Sequence, residues 1–512
     1  MEIEFRNVSK SFGSVHANAG VTFSVARGTI HGLIGENGAG KSTAMKLLYG
    51  MYPYDSGEIR LRGKKVEWHS AMDAIRAGVG MVHQHFMLAE PNTALDNIIV
   101  GVESVSKHWK WLPRFAQPID RKAARVRIEA LMTQYGLHVD LDATVESLPV
   151  GVQQRLEILK LLYRDAEILI LDEPTAVLTP QETEDLFKQL KRLKEEGKTI
   201  LIITHKLKEV LAVTDQVTVM RAGKVTGNVK TSETDVHALA EMMVGRSVML
   251  QVEKTPPTPG ESVLKLKNFT CEALGLKNLS LDLRAGEILG IAGVEGNGQS
   301  ELLDVLLHPN EAHWNAGEIE FLGQSTHSMN CYQLRSQGVG IISEDRHQQA
   351  VLLEENLEEN YLLGFHRAAP FCKKGKLNRD ILRKEVEEAL EAFDVRPRDP
   401  SALMESLSGG NQQKLVIARE MRRPLKLLVA AQPTRGVDVG AIEAIHKRIV
   451  AASRSGTAVL LVSSELDEVM SLSDRILVMF EGEFAAEFSQ SQVTERALGV
   501  AMGGGQVVEA GA

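Results

Sequence analysis

Gly35-Glu36-Asn37-Gly38-Ala39-Gly40-Lys41-Ser42-Thr43 fits the phosphate-loop pattern G-x-x-x-x-G-K-[ST], and its surroundings fit as well. Ahead of it, Thr29-Ile30-His31-Gly32-Leu33-Ile34 is a short apolar run with the character of a buried strand. Behind it, Ala44-Met45-Lys46-Leu47-Leu48-Tyr49 is a good helix former, stopped by Gly50. Strand, loop and helix in that order aim backbone N–H groups and the positive helix end at one spot, which a phosphate fills. Lys41 is expected to reach the β- and γ-phosphates and Ser42 to hold Mg²⁺. A glycine-rich turn that matched by chance would not bring both flanking elements with it, so the stretch predicts a nucleotide site.

With 512 residues the chain is too long for one hydrophobic core, and several domains are expected. Hydrophobic residues make up 44% and charged residues 24%, ordinary for a soluble globular protein. The net charge of −9 argues against nucleic acid as a partner, which calls for basic excess. Cys271, Cys331 and Cys372 lie far apart without C-x-x-C spacing. That supports neither a structural zinc nor a disulfide framework and fits reduced cytosolic thiols. Met1-Glu2-Ile3-Glu4-Phe5 has no basic-then-apolar signal pattern, and no uninterrupted apolar run approaches bilayer length. Any membrane component is expected to come from another chain.

Phe5 to Val25 alternates apolar and polar residues and predicts short strands leading to the phosphate loop. Phe12 sits in a Ser11-Phe12-Gly13 turn, where an aromatic either stacks on a purine or fills a buried strand end. Gly57 to Leu61 is a further strand-like piece, and Gly78 to Val82 a buried strand ending at His83-Gln84-His85. From Asn92 to about Asp165 the pattern turns helical, with a basic, Ala-rich helix around Arg121 to Tyr135. Trp109 and Trp111, before Pro113, fit a satellite core better than partner contacts.

Ile168-Leu169-Ile170-Leu171 is a continuous apolar strand of the kind parallel sheets require. It delivers Asp172 and Glu173 to its C-terminal end, where open α/β sheets bind ligands. Thr179-Pro180-Gln181-Glu182 is a capping box with Pro at the first helical position, and its helix runs to Glu196 before Gly197. Thr199 to Thr204 is the next buried strand, with His205 at its end. This alternation predicts a doubly wound α/β nucleotide domain.

Lys254-Thr255-Pro256-Pro257-Thr258-Pro259-Gly260 can be neither helix nor central strand and is expected to form a stiff linker. After it the chain repeats itself: Gly293 to Gly298 answers Gly35 to Gly40, Gly410 answers Gly151, and Ser464 answers His205, at a nearly constant offset. The expected organisation is a first domain over 1–246, a linker over 247–262, a second domain over 263–504 and a flexible tail over 505–512.

Taken together these motifs resemble the ATP-binding cassette (ABC) ATPases over nearly the whole chain. The order is phosphate loop, Gln84, a Gly-Gln-Gln signature helix, an Ile-Leu-Leu-Asp-Glu-Pro-like strand end and His205. Leu407-Ser408-Gly409-Gly410-Asn411-Gln412-Gln413 fits the family signature closely. Two cassettes with a short linker look like the ATP-binding subunits of sugar and nucleoside importers. Gly293-Val294-Glu295-Gly296-Asn297-Gly298-Gln299 and Ala430-Ala431-Gln432-Pro433-Thr434-Arg435-Gly436 look most like the nucleoside branch.

The resemblance implies two tandem α/β P-loop domains, each with a RecA-like core, an N-terminal antiparallel β part and a helical subdomain. It implies ATP and Mg²⁺ as ligands, with ATP held by Phe12, the loop from Gly35 to Thr43, and the signature residues Ser408, Gly409, Gly410 and Gln412. Mg²⁺ falls to Ser42, Gln84 and Asp172, polarisation of the attacking water to Glu173, and contact with the γ-phosphate to His205. Implied partners are two transmembrane permease subunits and, indirectly, an extracytoplasmic solute-binding lipoprotein, with the chain peripheral on the cytoplasmic face of the membrane. Phe86 to Leu88 after His85, and Arg346 to Gln349, are expected to line the groove for permease helices.

The departures from the pattern are asymmetric. In the second half Gln299 stands at the phosphate-loop lysine, Ala431 at Asp172, Gln432 at Glu173, Ser464 at His205 and Glu344 at Gln84. Gln lacks the charge of Lys, and a carboxamide cannot act as a base, a loss of about 10²–10⁴ in rate by itself. Hydrolysis is not expected in this loop, which begins at Gly293, although Gly296, Gly298 and Ser300 still permit binding. In the first half the signature is the damaged element, with Pro149 and Val150 ahead of Gly151. Because the family sandwiches each ATP between the loops of one cassette and the signature of the other, all defects fall into one composite site. Thr179 breaks the pattern, replacing an acidic residue that Asp438 keeps.

Other classes fit less well. A ribosome-associated tandem cassette resembles two intact sites joined by a long charged linker, and a DNA-repair cassette needs zinc-binding cysteines. A nucleotide-binding scaffold sits badly with an intact Asp172-Glu173 pair.

Overall fold

The computed structural model describes residues 1–13, 15–36, 38–83, 86–103, 119–175, 178–245, 254–294, 296–311, 314–437 and 439–505. The chain divides into two compact units, Met1–Val248 and Met249–Ala512.

In the first unit β1 (Ile3–Phe12) pairs antiparallel with β2 (Val15–Val25). β3 (Ile30–Gly35) leads into α1 (Lys41–Leu48), then β4 (Ser56–Leu61), β5 (Lys64–Val66), α2 (Ala71–Arg76) and β6 (Val79–Val82). A helical part follows, with α3 (Ala94–Ile99), α4 (Arg121–Tyr135) and α5 (Val150–Tyr163). The chain then alternates through β7 (Ile168–Asp172), α6 (Pro180–Glu195), β8 (Thr199–Thr204), α7 (Leu207–Val213), β9 (Gln216–Arg221), β10 (Lys224–Lys230) and α8 (Val236–Val244). Two sheets result, an antiparallel one in the order β2-β1-β4-β5 and a six-stranded one in the order β10-β9-β3-β8-β7-β6. The larger sheet is parallel apart from the β9–β10 edge.

The apolar runs predict this core because a parallel sheet is covered on both faces. Every residue of β3, β6, β7 and β8 is buried. Along β7, Ile168 and Ile170 join a core with Phe5, Phe23, Met45 and Leu48, under α1 and the antiparallel sheet. Leu169 and Leu171 point the other way, onto Ile98, Leu156, Leu159 and Leu190 of α3, α5 and α6. The short strands expected between Phe5 and Val25 are instead two long ones, of 10 and 11 residues. Register shifts between Phe5 and Val8 and again before Ser11 break the period-two alternation, which makes continuous strands read as fragments.

The second unit repeats the order. It runs β11 (Ser262–Cys271), β12 (Leu276–Arg284), β13 (Ile288–Ala292), α9 (Gln299–Leu307), β14 (Ala316–Phe321), β15 (Gln324–Ser325), α10 (Cys331–Ser336) and β16 (Val339–Ile342). Next come α11 (Arg346–Gln349), α12 (Leu357–Leu362), a hairpin of β17 (Cys372–Lys373) and β18 (Lys376–Leu377), α13 (Arg379–Ala392) and α14 (Gly409–Met421). It closes with β19 (Leu427–Ala431), α15 (Val439–Arg454), β20 (Ala458–Val462), α16 (Leu466–Leu472), β21 (Arg475–Phe480), β22 (Glu483–Ser489) and α17 (Glu495–Met502). The sheets, β12-β11-β14-β15 and β16-β19-β20-β13-β21-β22, match those of the first unit strand for strand.

The Pro-rich stretch carries neither helix nor strand and lies on the second unit. Lys254 Nζ donates to Ser473 O at 2.9 Å, Arg454 Nε to Thr255 O at 2.9 Å and Gly260 N to Ala285 O at 2.8 Å. Trp109, Trp111 and most of the expected tail fall outside the described residues. Among the described residues no helix is long and apolar enough to cross a membrane.

Helix α14 is fastened by buried charge. Glu420, with no exposure, accepts from Arg335 Nη1 at 3.0 Å, Arg419 Nε at 2.9 Å and Ile341 N at 3.2 Å. Arg419 also donates to the carbonyls of Ala350 and Asn360. Glu420→Ala leaves two buried guanidinium groups without their carboxylate and is expected to destabilise the second unit by about 3–5 kcal/mol. Urea unfolding of the full chain measures this as an earlier transition of that unit.

Candidate functional site

The C-terminal ends of β3, β6, β7 and β8 lie along one edge of the first unit's sheet. Register fixes their level: Ile34 pairs with Thr204, and Asp172 with Ile203. Gly35, Asp172, Glu173 and His205 are thereby brought together from strands far apart in sequence.

The phosphate loop turns into α1 at Gly40, which has a left-handed backbone (φ 95°). A Cβ there would stand 2.2 Å from Ala17 O and 2.7 Å from Asn18 Nδ2, so no larger residue fits. Lys41, the first residue of α1, is only 6% exposed, and its Nζ donates to Gly35 O at 2.8 Å and Glu36 O at 2.9 Å. Burial pushes its ammonium below the ordinary lysine value, while Glu173, Asp172 and Glu36 pull the other way. Asn37 and Gln84 lie outside the described residues.

Burial raises the Asp172 carboxyl above its ordinary value, although Ser42 donates a hydrogen bond to it. Glu173 behaves in the opposite way. Its Oε1 is 2.9 Å from His205 Nδ1, and that hydrogen bond holds its carboxyl below the usual range against the effect of burial. The two adjacent carboxyls are thus shifted in opposite directions. Glu173 also adopts a left-handed backbone (φ 49°) with its N–H on Ile203 O at 2.8 Å. Strain of this kind, of order 1–3 kcal/mol, aims a side chain where an extended strand would not.

Phe12 is 42% exposed, which removes the buried strand-end alternative. It packs edge-on against Tyr52, with Lys10 5.5 Å from its ring. Thr179 caps α6 in a complete capping box with Glu182, as its sequence predicts.

The second unit keeps this scaffold with other chemistry. Gly298 (φ 112°) precedes α9, and Gln299 folds back so that its Nε2 occupies the space a Cβ at Gly293 would need. Its Oε1 is buried without a hydrogen-bond partner among the described residues. Ser300 Oγ donates to Glu344 at 3.0 Å. Gln432 repeats the left-handed backbone of Glu173 (φ 45°), and its Oε1 accepts from Ser464 N and Oγ, both at 3.2 Å. Ala431, at the end of β19, is 2% exposed and carries no polar group.

Ser408 stands at the N-cap position of α14, where its Oγ accepts from Asn411 Nδ2 at 2.9 Å, and Gly409 and Gly410 are the first residues of the helix. The Gln412 side chain turns inward and is 5% exposed. Its Nε2 donates to the carbonyls of Met404 and Leu407 and its Oε1 faces His347 Nε2 at 3.0 Å, so it braces the signature turn. In the first unit Pro149 precedes α5, Val150 is half-exposed, and a Cβ at Gly151 would stand 2.2 Å from Glu182 Oε1.

Asn18 left no trace in the sequence pattern. It is 1% exposed on β2 and donates from Nδ2 to Gly40 O at 3.1 Å, tying the antiparallel sheet to the phosphate loop. Asn18→Ala is expected to cost about 1 kcal/mol of loop ordering, roughly fivefold in nucleotide affinity. Titration with a fluorescent nucleotide checks this, with turnover at saturation little changed.

Comparison with known proteins agrees with this geometry. The profile of the ABC transporter family matches residues 19–176 and 276–435. The nucleoside import ATP-binding protein NupA of Lactococcus lactis subsp. cremoris is 43% identical, covering 99% of each chain. The guanosine import ATP-binding protein NupO of Bacillus subtilis is 44% identical over 99% of this chain and 98% of its own. The glucose import ATP-binding protein TsgD13 of Haloferax volcanii is 43% identical over 98% of this chain and 96% of its own.

Proposed function

The chain belongs to the ABC transporter family of ATP-binding proteins, and from that premise we propose that it hydrolyses ATP to drive an importer of nucleosides or related simple sugars. The observation that carries this reading is likeness to nucleoside- and guanosine-import proteins over both halves, not over one cassette alone. Its partners are two membrane permease subunits, with a solute-binding lipoprotein acting through them, and it sits peripherally on the cytoplasmic face. The ribosome-acting alternative draws no support from these relatives.

Hydrolysis belongs to the first unit's loops. Lys41 exchanges its loop carbonyls for phosphate oxygens, beside the N–H groups that open α1. Glu173, ionised at neutral pH, orients the attacking water and draws its proton, while His205, held through Nδ1, keeps Nε2 for the γ-phosphate. The Ser42 hydroxyl and Asp172 carboxylate are the oxygen donors that a hard cation takes, so with Gln84 they suit Mg²⁺, which when bound neutralises phosphate charge. In the second unit Gln299, Ala431, Gln432 and Ser464 offer neither a cation nor a base. The crossed distribution of defects supports one working composite site, made from the first unit's loops and the second unit's signature.

Two experiments bear on this. Cells lacking the protein should lose uptake of labelled nucleosides, and wild type should restore it while Glu173→Gln does not. The purified Glu173→Gln variant should bind ATP normally with turnover reduced at least about 10²-fold. Uptake of nucleosides unchanged by the deletion would overturn the substrate class.

Gly410→Asp places a charge and a side chain at the buried start of α14 and should stop hydrolysis in the assembled transporter. Val150→Asp, on the half-exposed turn of the other signature, should leave substantial turnover. Gly151→Asp is a poor control, because its side chain would meet the Glu182 carboxylate. A dead Val150→Asp beside an active Gly410→Asp overturns the crossed pairing.

A further inference from the structure

Arg346 follows β16 by four residues and opens α11. Its Nη1 donates to Arg435 O at 3.0 Å. Its Nη2 lies where a side chain on the signature would begin: a Cβ built on Gly409 would stand 2.6 Å from it and 3.1 Å from Gly436 O. A Cβ on Gly436, itself left-handed at φ 71°, would be 3.3 Å from the same nitrogen. One guanidinium is therefore wedged between two glycines of different loops, the signature and the segment after β19. The next residue, His347, meets Gln412 of the signature helix, and Asp345 caps α11 by accepting from His347 N at 2.9 Å and Gln348 N at 3.1 Å.

The first unit lacks both members of the contact. Counting four residues from the end of β6 gives Phe86, and the residue that opens its signature helix is Val150. Arginine goes with the glycine-bearing signature and is missing where the signature carries a side chain.

Helix stability does not explain the placement. The first turn of α14 presents N–H groups with partial positive charge, and a cation beside them is unfavourable. An anionic phosphate brought to the same turn offsets that repulsion. We propose that Arg346 is a positioning residue for ATP hydrolysis, seating the Ser408–Gly410 turn against the Arg435–Gly436 loop, and that Gly409 is a glycine to admit it. The proposal rests on the reading that the second unit's signature serves the working site.

The test is a mutant cycle in the complete transporter, with turnover and ATP affinity measured separately. Arg346→Ala should lower kcat roughly 10-fold to 100-fold with KM for ATP within about twofold, because a displaced signature disturbs alignment and not the Lys41 pocket. Arg346→Lys, which keeps the charge but not the fork, should fall between it and wild type. Gly409→Ala should lower kcat on its own but add little in the Arg346→Ala background, where the clashing guanidinium is gone. Additive losses, a wild-type rate in Arg346→Ala, or a kcat loss matched by a KM rise overturns the proposal. Should Arg346→Ala fail to fold, Arg346→Lys and its combination with Gly409→Ala complete the cycle, and the same results support or overturn it. Gly410→Asp measured alongside separates the failures. If it is dead while Arg346→Ala is fully active, only this proposal falls; full activity in both removes the crossed reading as well.

Discussion

β3 is six residues long, buried throughout, and paired in parallel with β8 on one side and β9 on the other. Because parallel neighbours end at the same edge, this pairing decides the height at which every functional group is presented. The phosphate loop leaves from Gly35, Asp172 and Glu173 leave from β7 one strand beyond β8, and His205 follows β8 itself. A one-residue slip of β8 would turn its side chains to the other face and draw His205 away from Glu173. Two cores make such a slip expensive, since Leu201 and Ile202 on consecutive positions of β8 are committed to opposite sides.

The second unit shows how little of this arrangement depends on the chemistry it carries. Gln432 keeps the left-handed backbone and a strand-end acceptor, hydrogen-bonded to Ser464 as Glu173 is to His205. The geometry survives while ionisable groups are replaced by neutral ones. Ser300 and Glu344 remain tied to each other, and helix α14 is fixed at its far end by the buried Arg335–Glu420–Arg419 group. With a carboxamide at the strand end, the second unit still fixes its signature helix through buried charge.

Much of this was legible in the sequence for identifiable reasons. Continuous apolar runs mark two-faced burial, so β3, β7 and β8 stand out. Caps are local, so the start of α6 at Thr179 and the stop of α1 near Gly50 follow from a few residues. The misses are all non-local. Bulges hid the length of β1 and β2. Asn18 reaches Gly40 across 22 residues, and Arg346 reaches Arg435 across 89, with nothing in either stretch to announce the partner. Gln412 matched a motif, but its direction depends on the Met404 carbonyl and on His347, which the motif does not contain.

The contact between Gly151 and Glu182 changes what the glycine can testify to. Glu182 Oε1 lies 2.2 Å from the place of a Cβ at 151, and the same carboxylate closes the cap of α6 through Thr179. A side chain at 151 would have to push that carboxylate aside, whether or not a nucleotide ever visits. Crowding against the cap thus favours glycine at 151 independently of any nucleotide. The route back to an intact signature correspondingly runs through Pro149 and Val150, the two positions that had room to drift.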